Sequence, residues 1–346
     1  MNFEQYAKDF EKKAKESGRD EAYIKTCLAY AQNLKKNNLP IIYSLDHLAN
    51  LVGFKESYLR FASHKTDGYY RNFSIPKKSG GIRLINEPLP NLKSIQIWIL
   101  ENILYKLDTS TYAKAFIRKK SIKDNSRFHR GQPMVLTLDI ENFFPSLSVV
   151  LINSFFRKMG YSKKVSYILT RLCSLSGGLP QGAPTSPALS NLLFKPLDNK
   201  IANYCIPRNI RYTRYADDMT FSGEFSCNKI IHFVRQTLSN LRLDLNEKKT
   251  RLMRAHQRQE VTGIVVNKKL QAPIDCRKEL RQCIYYIEKY GIESHLEKIG
   301  EMRGNYVSHL LGKANFILFI NPHDKDALKA KNILYSEKDK YDAKRI

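Results

Sequence analysis

Tyr215-Ala216-Asp217-Asp218 lies between two runs of strand-like character, Ile210-Arg211-Tyr212-Thr213-Arg214 and Met219-Thr220-Phe221-Ser222. The pattern predicts a hairpin whose tip carries the two aspartates. In a continuous strand, adjacent side chains point to opposite faces, so neighbouring carboxylates could not share a ligand. A tight turn removes that restriction and aims one or both at a single point. Gathered carboxylates repel one another, and without a cation one of them tends to protonate. A hard divalent ion resolves the repulsion, and Mg²⁺ takes one or two protein carboxylates together with substrate phosphates. A solvated Asp-Asp turn is the simpler reading, because aspartate is common in turns. The stretch therefore needs a partner elsewhere in the chain.

Asp139 is that partner. Met134-Val135-Leu136-Thr137-Leu138-Asp139-Ile140 predicts a buried strand that ends on a carboxylate. The turn after it, Ile140-Glu141-Asn142-Phe143-Phe144-Pro145-Ser146, is expected to offer its backbone N–H groups to phosphates. Asp139, Asp217 and Asp218 are the three acids expected for two Mg²⁺ ions that stabilise the attacking and leaving oxygens of nucleotidyl transfer. Catalysis of that kind is mostly positioning and charge neutralisation, so it requires no serine or histidine nucleophile.

The rest of the chain agrees with a polyanionic substrate. Its 58 Lys and Arg face 33 Asp and Glu, a formal charge of +25. Such an excess costs self-repulsion and points to nucleic acid. No amphipathic basic anchor or lipidation signal favours a membrane instead. The 20 tyrosines and 17 phenylalanines among these charges suit base stacking. Six scattered cysteines without a CxxC pair read as reduced thiols in a cytoplasmic protein, and no secretory leader or membrane span is expected.

Along the chain, residues 1–40 predict two polar helices broken at Ser17-Gly18-Arg19-Asp20. A short helix begins near Ser44. A basic hairpin follows, Tyr69–Pro76 and Ile82–Ile85, around Lys77-Lys78-Ser79-Gly80-Gly81. Residues 92–107 predict a helix with Trp98 as a core anchor, and 249–253 a strand. Residues 260–270 predict a further hairpin. From Arg277 onward the pattern is helical and basic, with Gly291, Gly300 and Gly312 expected to punctuate short helices and with Tyr285, Tyr286 and Tyr290 expected in their core. The plan is α+β.

Several motifs stand in a fixed order: Thr137-Leu-Asp-Ile-Glu-Asn-Phe-Phe-Pro-Ser146, Leu179-Pro-Gln-Gly-Ala-Pro-Thr-Ser-Pro187, Arg214-Tyr-Ala-Asp-Asp218 and Asn246-Glu-Lys-Lys-Thr250. Together they resemble bacterial reverse transcriptases over residues 69–267. Within that group the chain most resembles retron reverse transcriptases. Val261-Thr262-Gly263 is similar to their VTG element. Asn125-Ser126-Arg127-Phe128-His129 is similar to their NAxxH element, with Ser126 where alanine is usual.

The resemblance implies a right-hand polymerase fold, with an N-terminal helical extension (1–40), fingers and palm (41–270) and a basic helical thumb (271–346). It implies that Asp139, Asp217 and Asp218 bind two Mg²⁺ ions, with the Ile140 carbonyl as a further ligand. Phe144 stands where an aromatic ring excludes the 2′-hydroxyl of a ribonucleotide, and Gln181, Gly182 and Lys249 stand where the incoming nucleotide is held. Lys77, Lys78 and Arg83 are expected at the triphosphate. Tyr215, Val261, Thr262, Gly263, Asn125, His129, Arg277 and Arg281 are expected at primer or RNA. The implied activity copies part of a dedicated structured non-coding RNA into branched multicopy single-stranded DNA, primed from a 2′-hydroxyl, in antiphage defence with a separate effector protein. The alternatives are another bacterial reverse transcriptase, of the group II intron or abortive-infection type, and a non-catalytic RNA-binding scaffold.

Overall fold

The computed structural model describes residues 2–77, 80–301 and 305–343, so Lys78 lies outside the described residues. The chain forms two compact units. The first comprises residues 1–117, 140–202 and 232–246; the second comprises 118–139, 203–231 and 247–346.

The first unit begins with helices Phe3–Glu16 and Glu21–Lys36. Gly18 separates them at φ +69°, and the Asp20 carboxylate caps the second by accepting from the Tyr23 N–H at 2.7 Å. This pair is fastened to the unit rather than trailing from it. Ala31 and Leu34 are buried, the Tyr30 hydroxyl donates to the Ile42 carbonyl at 2.8 Å, and the Ser162 N–H donates back to Tyr30 at 3.3 Å. Strands β1 (Tyr70–Pro76) and β2 (Ile82–Pro88) pair antiparallel from Tyr70↔Pro88 to Pro76↔Ile82. Gly80 and Gly81, both near φ +80°, close the turn. Most of this ribbon is solvated, and Ile82 and Leu84 stand exposed on it. Trp98 is only half-buried, contrary to expectation; helix Pro90–Asn102 buries Leu92, Ile95, Gln96 and Ile99 instead.

The second unit is built on a four-stranded antiparallel sheet. Strands β3 (Met134–Asp139), β4 (Arg211–Tyr215), β5 (Asp218–Ser222) and β6 (Arg251–Arg254) lie in the order β4-β5-β3-β6. Asp139 is opposite Asp218, and Tyr215 is opposite Asp218 across the hairpin. Strand β6 starts at Arg251, and Lys249 falls in the helical turn Glu247–Lys249 rather than in the strand. Strands β7 (Glu260–Val261) and β8 (Ile264–Val265) form a short hairpin. Its turn is Thr262-Gly263, at φ +47° and +79°, which suits a two-residue turn with both residues left-handed.

Helices Ile274–Ile299, Tyr306–Ile320 and Lys325–Ala343 complete the unit around Leu280, Ile284, Leu310, Ala314, Ile317 and Leu334. Gly291 kinks the first at φ +80° and Gly300 ends it at φ +62°. Gly312 punctuates nothing: it sits within the middle helix. Tyr285 and Tyr290 are exposed rather than core, because the buried stripe of their helix runs through Leu280, Ile284 and Ile287.

Candidate active site

Register explains how the acids meet. A two-residue turn, Ala216-Asp217, joins β4 to β5 and makes Asp218 the first residue of β5. Ala216 adopts φ +58°, a conformation that costs a residue with a Cβ. The fully buried Arg214 guanidinium helps to hold it there by donating to the Ala216 carbonyl at 3.0 Å. Antiparallel pairing then sets Asp218 beside Asp139, the last residue of β3.

The electrostatics follow from that packing. Asp139 is 5% exposed, whereas Asp217 and Asp218 are partly open to solvent. Burial, with the charges of Asp217 and Asp139, pushes the Asp218 carboxyl up to about 7 against the opposing pull of Lys249, and Asp218 hydrogen-bonds Asp139. The Lys249 ammonium donates to both oxygens of Asp139, at 3.0 and 2.9 Å. Burial pulls the lysine pKa down, yet the bonds to Asp139 and the surrounding carboxylates outweigh it and raise it.

Among the described residues, no three His, Cys, Asp or Glu side chains are grouped closely enough to hold a metal as they stand. The donor set nevertheless has the right chemistry. Its oxygens are carboxylate, it attracts a cationic ammonium, and it raises the pKa of one of its own members, all of which suit a hard divalent ion. Asp218 and Lys249 line a cleft of about 190 Å³ with Thr137, Thr262 and Gly263. The Thr262-Gly263 turn therefore borders the same cleft as Asp218 and Lys249.

Other expected site residues collect in the first unit. The Phe144 carbonyl accepts from the Leu179 N–H at 3.1 Å, tying the turn after Asp139 to the Leu-Pro-Gln-Gly loop. The Phe144 ring is partly exposed and packs on Phe143 and Phe116. The Gln181 carbonyl accepts from the Asn86 N–H of β2 at 2.8 Å. Gly182 sits at φ +137°, and a Cβ there would come within 2.7 Å of the Asn86 carbonyl. Its missing side chain thus already serves a close approach of protein backbone. Ile140 is buried and bridges to Leu245, and the Glu141 N–H is taken by the Asp244 carbonyl, so this part of the turn is not free for phosphate. Lys77 and Arg83 are exposed on the β1–β2 ribbon.

Asn125 and His129 require correction as nucleic-acid contacts. Both are fully buried in the second unit, where their polar atoms bond to protein. Nothing in the sequence signalled this, since those partners lie 84 to 137 residues away. Of the two arginines expected at RNA, Arg281 is exposed beside Asp326 at 3.4 Å and Arg277 is half-buried. The role of Ser126 was missed for the same reason, its Val261 partner lying 135 residues away; that of Arg214 was missed although its partner, the Ala216 carbonyl, is only two residues on.

A family model described as reverse transcriptase (RNA-dependent DNA polymerase) matches residues 75–266. The chain is 33% identical over 294 residues to the Retron Ec86 reverse transcriptase of Escherichia coli, covering 83% of this chain and 88% of that one. It is 30% identical over 319 residues to the Retron Mx65 reverse transcriptase of Myxococcus xanthus, with 85% and 72% covered. Among solved structures, apo telomerase from Candida Tropicalis aligns over 77% of this chain and 57% of that one, at 12% identity and a TM-score of 0.47. That likeness is too distant to add to the sequence matches. Matched along most of their length to curated retron enzymes, the residues described above belong to a retron reverse transcriptase, an RNA-dependent DNA polymerase.

Proposed function

We propose that this enzyme copies part of a dedicated structured non-coding RNA into multicopy single-stranded DNA joined to that RNA. Priming from a 2′-hydroxyl of the RNA, a cytoplasmic setting and a role in antiphage defence with a separate effector protein come with the retron reading. The observation that carries the chemistry is the cleft in which Asp218, Lys249 and the Thr262-Gly263 turn meet, with Asp139 bonded to Lys249 and paired with Asp218 behind it.

In this reading Asp139, Asp217 and Asp218 hold divalent metal, with Mg²⁺ the best match to their oxygen donors. When bound, the metal supplies charge neutralisation at the attacking and leaving oxygens. The protein's own groups do the positioning. Asp139 is fixed by β3 and Asp218 by its pairing with β3 and β4, so the carboxylates meet the substrate without reorganising. Lys249, which neutralises Asp139 in this structure, is assigned to the phosphates of the incoming nucleotide once Asp139 has another cation. Thr262 and Gly263 hold the primer end, beside Tyr215.

Phe144, Gln181 and Gly182 are assigned to the nucleotide and its sugar, and Lys77 and Arg83 to the triphosphate. The helices after residue 270 are assigned as the thumb that follows the duplex, with Arg277 and Arg281 at its backbone. Residues 41–270 then make the fingers and palm, and 1–40 the helical extension. Sequencing the nucleic acid that co-purifies with the protein tests the retron assignment. A branched RNA–DNA product from one structured RNA is expected; unbranched DNA copied from many unrelated RNAs would overturn it.

A further inference from the structure

The buried Asn125-Ser126-Arg127-Phe128-His129 element joins the catalytic hairpin to the Thr262-Gly263 turn through a run of side-chain hydrogen bonds. Each bond lies inside the second unit. The Thr213 hydroxyl, on β4 two residues before Tyr215, donates to Asn125 Oδ1 at 2.6 Å. A hydroxyl has one hydrogen, so the contact between Thr213 and His129 Nε2 at 2.7 Å must run the other way. His129 Nε2 therefore carries a proton whatever the charge on the ring. Its other nitrogen, Nδ1, meets the Ser222 hydroxyl at 2.7 Å, at the far end of β5.

The run continues from the other side of the same asparagine. Asn125 Nδ2 donates to Thr262 Oγ1 at 3.5 Å, its longest step. Thr262 Oγ1 lies 3.2 Å from Ser126 Oγ. Ser126 has one hydrogen to share between the Val261 carbonyl and the Ile122 carbonyl of its own helix, each 2.9 Å away. Because Ser126 has spent its hydrogen on carbonyls, Thr262 is the donor between the two hydroxyls. Every bond from His129 to Val261 then points in one direction, and such chains polarise and strengthen one another in a buried setting.

We propose that this directional chain sets the position of the catalytic hairpin relative to the Val261-Thr262-Gly263 turn, making His129, Thr213, Asn125 and Ser126 positioning residues for nucleotide addition. The inference rests on reading Asp217 and Asp218 as the catalytic pair. Both strands of the hairpin are anchored, β4 through Thr213 and β5 through Ser222, so its tip cannot tilt without breaking a buried bond. Ser126 supplies the final link to the turn carbonyl, which alanine at that position could not make. A small displacement of the hairpin would misplace the carboxylates while leaving nucleotide binding largely intact.

The test is a double-mutant cycle on the full-length enzyme with its co-purified RNA. Thr213→Val keeps the volume and removes the central hydroxyl; Thr262→Val does the same at the half-exposed turn. Single-nucleotide addition by Thr213→Val is expected to show kcat reduced at least about tenfold with the dNTP KM changed less than about twofold. Thr213→Ser, which restores the hydroxyl, should recover kcat to within about threefold of the parent. The double variant should be no more than about twofold slower than the slower single, because the chain is already broken. A folded Thr213→Val enzyme with parental kcat overturns the proposal. So do multiplicative losses, which would mean that Thr262 acts only by touching the primer. Should Thr213→Val fail to fold, Ser222→Ala takes its place in the cycle, with the same expected and contradicting results. Asp217→Asn with Asp218→Asn serves as the control: synthesis persisting there would refute the catalytic pair itself, separately from the coupling.

Discussion

At the scale of single residues, the site is organised by charge. Lys249 sits on Asp139 where a cation is wanted, and burial, with the neighbouring carboxylates, makes the Asp218 proton harder to lose. The folded pKa of Asp218 lies above its ordinary value, so its protonated form favours the metal-free fold. That contribution is complete below about pH 4 and is lost as pH rises through about 7. Metal must displace the proton, so saturating Mg²⁺ should raise the melting temperature more at about pH 8 than at about pH 5.5. Calorimetric melts at the two pH values check this, and an equal rise at both contradicts it. Phe144 makes a second prediction. Its ring is partly exposed and braced by Phe143 and Phe116, a rigid wall suited to rejecting a 2′-hydroxyl by clash. Phe144→Ala should improve the ratio of ribonucleotide to deoxynucleotide incorporation by at least about tenfold; an unchanged ratio would remove Phe144 from that role.

At the scale of elements, the strands and turns bearing the acids were legible because their signals are local. Strand-like runs marked β4 and β5, a buried apolar run marked β3, and residues 260–270 read as a hairpin, which the structure closes early, at Thr262-Gly263. What the sequence hid depends on distant partners. Asn125 and His129 resembled surface contacts until folding buried them against Thr213, Ser222 and Thr262. Trp98 invited a core reading from its residue type alone, yet its helix turns Ile95 and Ile99 inward instead. Gly182 was legible as a site of close approach, but the approaching group is the Asn86 carbonyl of β2. Gly182→Ala should therefore destabilise the protein by about 1–3 kcal/mol, from strain at φ +137° and the clash with that carbonyl. Denaturant titration measures it, and unchanged stability would show that β2 yields without cost.

At the scale of the whole molecule, the charge of +25 and the polymerase chemistry describe one activity. Phosphate contacts release counterions, so binding to an RNA–DNA duplex should weaken by about 10³-fold or more between roughly 50 and 200 mM salt. Fluorescence anisotropy across that range checks it, and an affinity insensitive to salt would contradict a basic surface that tracks the backbone. No helix among the described residues is long and apolar enough to cross a membrane. The most direct measurement is DNA synthesis by the purified enzyme on its co-purified RNA with dNTPs and Mg²⁺, with and without Asp217→Asn plus Asp218→Asn. The parent enzyme should extend DNA, and the folded variant should lose at least about 10³-fold of that rate. Synthesis retained by the folded variant would contradict the assignment of these two aspartates to the chemistry.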